Sequence, residues 1–509
     1  MKSIKTLLIL LPMLFAACGE EFLNIPSETA LTTGIYFQKQ SDFQSAINAA
    51  YEPLRGLYSG NNGQWALTEM HSDNAHFTLN TDYRATIDQE NAAYFIYEAA
   101  NPIPLNQYRA NYRVIARANQ ILVTIDAVEF EDAEQKDWIK GQALFLRGFA
   151  YFNLMTLFAQ VPMHLVPVTT LEETALPLSE RSDVFNQIKV DVTDAIALLP
   201  EKSEADYDMG RATAGAARML LANVHMMLLE YPSAQALLED IVASNEYSLV
   251  PDYADIFDPT NKNNSESIFE IQYRQGTDGY SSSFTYSFLP YPLEKDTVAK
   301  LTNVTNPNSL TLGEGYNTPS FDLIAEYEPG DLRYAATIDS VHTANAPPRK
   351  VPYCKKFTHD HQLLNNSDDN WPVFRYADAL LLLAEALNEQ GQFGPALDII
   401  NNIPAGSSVS IRGRAGLANA VAASQADVRD ALRHERRIEM AFENKRWPDL
   451  VRYGIAETVI AAYGQNVKDH PEDYAYPDGY EPPPSAFPTD DFKIFWPLPA
   501  EEALYSPYF

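Results

Sequence analysis

The chain has 509 residues, 46% of them hydrophobic and 12% aromatic, which is enough apolar material for a large core and excludes a disordered protein. Its formal net charge is −31, with no run of five basic residues, so phosphate backbones and anionic lipid would repel it. The two cysteines, Cys18 and Cys354, exclude a disulfide framework and a thiolate zinc site.

In chain order, residues 1–18 read MKSIKTLLILLPMLFAAC: Lys2 and Lys5, an apolar stretch, then Ala16 and Ala17 before Cys18. The pattern is that of a secretory signal, too short to span a bilayer. Its Ala-Ala-Cys ending resembles a lipobox, so the expectation is a signal peptide over 1–17 and an acylated Cys18, with Gly19-Glu20-Glu21 after it. Cys354, within VPYCKKF, reads as a buried or semi-buried free thiol.

Helical periodicity predicts helices over 42–56, 106–125, 138–160, 182–199, 213–229, 233–244, 375–390 and 393–402. The segments around Leu383-Ala384-Glu385-Ala386-Leu387, Gly391, Phe393 and Ala396, and more loosely 217–238, follow the small-large spacing of a tetratricopeptide repeat. Residues 246–371 carry Pro, Gly, Asn and aromatics with little helical period and read as a long loop-rich insertion. Within it, Phe284, Tyr286 and Phe288 alternate as a strand would. The expectation is a mainly α fold, a helical repeat scaffold within about 138–245 and 375–445, in a single domain over 18–509.

The stretch ALRHERRIEMAFENKRWPDLVRYG, residues 431–454, places Ala431, Glu435, Ile438 and Phe442 at helical spacing on one face. Glu435, with Glu439 one turn on, puts charge where apolar side chains belong, which requires ion-pair partners. Arg375, Arg437, Arg446 and Arg452 are the candidates, and the helix is expected to stop at Trp447-Pro448.

This stretch, ERRIEMAFE followed by RWPDLVRYG, resembles the C-terminal signature of the SusD/RagB family of outer-membrane nutrient-binding lipoproteins. Arg375, Glu385, Glu435, Arg437, Glu439, Arg446, Trp447 and Asp449 carry the structural part of that signature. Further matches are the opening FLNIPS, the helix with Tyr112, Ile115, Asn119 and Leu122, and the segment ending Phe158-Ala159-Gln160-Val161-Pro162. The resemblance implies a lipid-anchored protein on the outer face of the outer membrane. It would capture a glycan and deliver it to a SusC-like TonB-dependent transporter.

Sugars present apolar C–H faces and hydroxyls, so aromatic rings beside amides and arginines are the chemistry to look for. One such stretch holds Trp65, Tyr83, Arg84, Tyr94, Tyr97, Asn101, Tyr108 and Asn111; the other holds Phe284, Tyr286, Phe288, Tyr291, Asn303, Asn306 and Tyr316. The resemblance implies that loops from these two regions form the ligand face, with Tyr108 and Asn111 as the leading pair. Peptide capture, as in the RagB branch, is the alternative. A surface glycoside hydrolase is the other rival, but Glu435 and Glu439 share one helix wall and cannot flank a glycosidic bond. His71-Ser72-Asp73-Asn74-Ala75-His76 carries metal-capable groups but reads as loop polarity and not as a ligand set, no catalytic motif appears, and no EF-hand is present, which leaves calcium only as an adventitious ion on loop carbonyls. The reading is a binding protein without cofactor, not an enzyme.

Overall fold

The structure, a computed structural model, describes residues 36–79, 87–170, 172–204, 208–307 and 314–508. Cys18 and the leader therefore lie outside the described residues. The long helices are α1 (Gln40–Tyr58), α2 (Pro102–Thr124), α3 (Ala133–Leu157), α4 (Arg181–Leu198), α5 (Ala214–Met227), α6 (Tyr231–Ala243), α7 (Tyr376–Glu389), α8 (Phe393–Asn401), α9 (Gln425–Glu439), α10 (Arg446–Arg452) and α11 (Ala456–Asp469). The first eight fall within a few residues of the predicted spans.

Local chemistry sets their starts. Asp132 caps α3 by accepting from the amides of Glu134 and Gln135, Thr213 caps α5 through Ala216, and Ser424 caps α9 through Asp427. Each helix packs on the next from α1 to α7, and α7 packs on α8 and α9, as in a helical repeat array. Gly148 of α3 shows why small residues matter. A β-carbon there would lie 2.6 Å from Val192 Cγ2, so glycine is what lets α4 approach. Between the α5–α6 and α7–α8 pairs the turns are alike. Gly391 takes φ +81° after α7, and Leu229 occupies the same left-handed region at φ 58° after α5.

The insertion is built on two antiparallel pairs. Strand β1 (Ser267–Ile271) pairs with β4 (Trp371–Arg375), and β2 (Ile338–His342) pairs with β3 (Lys350–Cys354). Phe284–Phe288 forms a short buried helix, not the strand that its alternation implied; Phe284 and Phe288, one turn apart, stack with ring centroids 6.5 Å apart. The insertion has a small core of its own around Tyr286, Leu289, Leu293, Val298 and Tyr353. Most other buried apolar side chains, from Phe37 to Trp496, form one contiguous cluster. Cys354 is a buried free thiol, with its pKa pushed well up by burial.

The signature stretch differs from expectation in two respects. Helix α9 ends at Glu439, and Phe442 and Asn444 turn the chain in the left-handed region at φ 66° and 63°. Pro448 sits in the first turn of α10, where a missing amide donor costs nothing, so it begins a helix where it was expected to end one. Phe442 is therefore buried from the turn and not from the α9 face.

The partners of the buried glutamates also differ. Glu435 is held by Arg333 Nη1 at 2.6 Å and Arg412 Nη1 at 2.8 Å. Glu439 is held by Arg375 at 2.7 Å, Arg414 at 2.5 Å and Arg333 at 3.0 Å. Of the four expected partners only Arg375 serves. Arg437 and Arg446 instead clamp Asp73, at 2.9 Å and 2.7 Å, and Arg452 binds Glu385 and Asp449. In the central cluster Glu266, Asp331, Glu435, Glu439 and Glu443 face Arg333, Lys356, Arg375, Arg412 and Arg414. These five buried acids and five bases balance, which is the condition for burying so many charges, and Arg412 reaches the partly exposed Glu328 as well, at 3.0 Å.

Candidate functional site

The two predicted aromatic stretches do meet, but inside the protein. Trp65 is fully buried, edge-on to Phe288 with centroids 5.3 Å apart and tilted against Tyr316 at 5.4 Å. Tyr94, Tyr108, Tyr286, Phe288 and Tyr316 are all buried. Tyr286 hydroxyl lies 2.7 Å from His361 Nε2, and Tyr108 packs on Tyr112 at 4.6 Å. Asn101 is the N-cap of α2, accepting from Ile103 N at 2.9 Å, and Asn111 Nδ2 donates to Gln107 O within the same helix. These side chains hold up the fold and present no open face to a ligand, which corrects their reading as contact residues. Tyr97 is half-buried, donating to Lys493 O at 2.5 Å, and Tyr291 is half-buried in the insertion. Tyr83 and Arg84 lie outside the described residues. Aromatic side chains bury large areas wherever they can, and composition alone does not separate a core ring from a contact ring.

The histidines are structural as well. His71 Nδ1 donates to Ala92 O at 2.6 Å while its ring stacks on Phe95 at 3.9 Å, and His76 Nε2 lies 2.9 Å from Tyr476 hydroxyl. Burial pushes both imidazoles down to about 3, so they stay neutral. Among the described residues no group of three or more His, Cys, Asp or Glu is arranged to hold a metal ion.

The loop face is assembled by other residues, from the turn after α1, from Thr78 and from the insertion. The turn after α1 reaches the insertion through Gly60 N, which donates to Ser283 Oγ at 3.2 Å, and Asn61 Nδ2, which donates to Glu314 Oε1 at 2.9 Å. Thr78 N donates to Gly315 O at 2.7 Å. Burial raises the Glu314 carboxyl above its ordinary value.

Beside this seam lies a cleft of about 500 Å³. Asn48, Tyr51, Glu52 and Arg55 of α1 form one wall, the turn 208–211 another, and Glu270, Gln272 and Tyr280 the third. Tyr280 is 43% exposed. The Arg55 guanidinium lies 4.7 Å from its ring centroid and that of Arg274 5.6 Å, with Arg274 fixed by Asp278 at 2.8 Å. On the opposite side Arg211 lies 5.1 Å from the Tyr51 ring and binds Asp208 at 3.1 Å and Asn48. Gln272 is oriented by Asn263 and Asn370, each donating to its Oε1 at 3.0 Å. The cleft thus presents an accessible ring beside oriented amides, guanidinium groups and carboxylates, the donor and acceptor mixture that a polyhydroxylated ligand requires. Of its charged groups, Asp208 and Arg211 pair with each other, Glu52 pairs with Arg117 outside the cleft, and Glu270 accepts from Asn370 Nδ2 at 2.8 Å.

Sequence reasoning passed over Tyr280 although it lies inside the second stretch. The signal was local: GTDGYSS sets one aromatic in a turn whose glycines, Gly276 and Gly279, take φ 137° and 78°. A ring at the tip of such a turn has little around it to bury against.

Comparison with known proteins agrees with the fold and the signature. A family model described as "SusD family" matches residues 322–507, and one described as "Starch-binding associating with outer membrane" matches residues 21–226. SusD-like protein P38 of Formosa agariphila is 27% identical over 483 residues, covering 89% of this chain and 92% of its own. A solved laminarin binding SusD-like protein superposes with a TM-score of 0.73 at 22% identity, over 92% of this chain and 98% of its own. Surface glycan-binding protein A from Bacteroides thetaiotaomicron, solved in complex with laminarihexaose, gives a TM-score of 0.71 at 20% identity, over 92% of this chain and 97% of that one. With both family models matched, the buried charge lattice of the C-terminal signature in place and the helical scaffold shared along its length, the chain belongs to the SusD/RagB family.

Proposed function

We propose that the protein is a glycan-binding lipoprotein of the outer-membrane surface, in which the cleft under Tyr280 captures an oligosaccharide or polysaccharide. The observation that carries this reading is the cleft: about 500 Å³, open to solvent, with an exposed ring set among oriented amides and arginines. Stacking on Tyr280 supplies apolar contact, and the amides and guanidinium groups supply hydrogen bonds. The two solved structures named above are described as binding proteins, and this one is a binding protein, not an enzyme.

The same reading includes a lipid anchor at Cys18, outward orientation, a single domain over 18–509, and delivery of the captured glycan to a SusC-like TonB-dependent transporter. Among the described residues no helix is long and apolar enough to cross a membrane, which is compatible with attachment through the acyl group. Fatty-acid labelling lost in Cys18→Ala supports the anchor; labelling that persists removes it.

The deciding test of binding is affinity electrophoresis against a panel of polysaccharides, with calorimetry on any that retards the protein. Retardation abolished by Tyr280→Ala places the site in the cleft. Retardation unaffected by Tyr280→Ala moves the site elsewhere, and no retardation by any glycan defeats the reading in favour of another nutrient, peptides first.

A further inference from the structure

A second pocket, sharing no lining residue with the cleft at Tyr280, opens among the turn that joins α5 to α6, the end of α7, the exposed side of α9 and Tyr453 just after α10. Its volume is about 370 Å³. Five charged residues line it: Arg429, Arg433 and Arg452 against Glu385 and Glu389. One positive charge is in excess, in a chain whose net charge is −31.

The excess is localised. Arg429 Nε is bound to Glu389 at 2.6 Å, and Arg452 is held by Glu385 and Asp449. Arg433 forms no ion pair of its own; its charge reaches Glu389, which Arg429 already holds. Its guanidinium is packed 4.4 Å from the centroid of the Tyr453 ring, and its Nε is buried without an acceptor. Tyr453 is in turn covered by Arg452 at 4.3 Å, so two guanidinium groups crowd one ring and only one of them is neutralised by acids. On the facing helix Asn388 is fully buried, and its Oδ1 has no donor. Buried polar atoms without partners are rare and costly, and two of opposite kind lining one pocket point to a missing molecule that supplies both halves.

We propose that this pocket binds a sugar acid. Its carboxylate pairs with the Arg433 guanidinium, a ring hydroxyl donates to Asn388 Oδ1, and the half-buried Tyr231 ring at the pocket wall covers a C–H face. A neutral sugar leaves Arg433 unpaired. A simple carboxylate leaves Asn388 unpaired. The ligand class follows from needing an oxyanion and a hydroxyl together. The assignment holds whether or not the Tyr280 cleft takes glycan.

The test is calorimetric titration of the intact mature chain with D-glucuronate, with D-glucose as the neutral match and N-acetyl-aspartate as an acid without ring hydroxyls. Glucuronate is expected to bind saturably, with glucose and N-acetyl-aspartate weaker by about tenfold or more, the loss of one charge-assisted or buried hydrogen bond. Arg433→Gln is expected to weaken glucuronate by at least about tenfold, with Arg433→Lys retaining part of the affinity. Its melting temperature should fall only slightly, since the contact with the Tyr453 ring is lost but no ion pair is. Added salt should weaken glucuronate, as expected for a charge-dependent contact on a partly exposed arginine. Absence of saturable heat, showing that water alone fills the pocket, overturns the proposal. So does equal binding of glucose, tighter binding of N-acetyl-aspartate, or glucuronate affinity unchanged in Arg433→Gln.

Discussion

Arg375 and Glu439 are joined twice: Arg375 Nη1 donates to the Glu439 carboxylate at 2.7 Å, and Nη2 donates to the Glu439 backbone carbonyl at 2.5 Å. The second contact reaches the last residue of α9, where helix carbonyls lack partners inside the helix, so a single guanidinium neutralises a buried charge and caps a helix end. The remaining donors of Arg375 go to Glu443 and Glu266, both fully buried.

Arg375→Met is therefore expected to destabilise the protein by about 3–5 kcal/mol, because it strands carboxylates that water cannot reach. Urea denaturation followed by far-ultraviolet circular dichroism measures this. A midpoint indistinguishable from the parent would show that Lys356 and Arg414 suffice for the cluster.

Acid should destabilise the fold in two stages. Buried His71 and His76 are pushed down to about 3 from 6.5, so their share of stability is complete above pH 6.5 and is lost as pH falls toward 3. Glu439 and Asp378 act lower. Burial opposes their charge, but Arg414, Arg375 and Arg333 around Glu439, and Lys445 and Arg436 around Asp378, outweigh it and hold both carboxyls well below the usual range. Their share is complete above the unfolded values of 4.5 and 3.8 and disappears below them. The melting temperature is expected to decline from pH 6.5 downward and to steepen below about pH 4. His76→Gln should flatten the upper stage, and an unchanged slope in that variant would remove His76 as its cause.

Trp65 and Tyr280 should separate stability from binding. Trp65→Ala empties a fully buried site against Phe288 and Tyr316 and is expected to cost about 3–5 kcal/mol. Tyr280→Ala, at a 43% exposed turn, should leave the denaturation midpoint in place while abolishing retardation by a glycan. The reverse pattern would return the ligand face to the aromatic stretch that the structure places inside.

Leu229 offers a gain. It takes the left-handed conformation at φ 58° with its side chain 52% exposed, at the turn position where the second helix pair uses Gly391. Leu229→Gly relieves the steric cost and loses little packing, so a stabilisation of about 0.5–1 kcal/mol is expected in urea denaturation. Gly391→Ala should do the opposite, and equal effects from the two substitutions would contradict the shared turn geometry.

The sequence made the scaffold legible because helix periodicity is a local signal. Helices α1 to α8 are marked by their apolar spacing, and the charge at Glu435 and Glu439 announced buried ion pairs before any partner was known. The partners were not legible. Arg333 lies 102 residues from Glu435, and Arg412 and Arg414 come from a four-residue helix without periodicity of its own. Nothing local ranks these arginines above Arg437 or Arg446. Burial of Trp65 and Tyr94 was hidden for the same reason, since rings that cover them, Phe288, Tyr316 and Phe487, come from distant segments. The β1–β4 pairing joins residues about a hundred positions apart and leaves no periodic trace in between. Tyr280, by contrast, was readable from its glycine turn.

The clamp on Asp73 has a bearing on how the molecule comes to exist. Arg446 is 373 residues downstream of that aspartate, and Glu69, four residues before Asp73, accepts a hydrogen bond from the amide of Phe442. A chain growing from its N-terminus therefore exposes Asp73 and Glu69 long before the groups that satisfy them are made. The charge lattice acts as a closing seal, and its completion reports that the chain has been made through Arg452. A product cut short before residue 446 would keep most of its helices and still fail to close, leaving a protease an unsealed N-terminal segment by which to tell it from the finished protein.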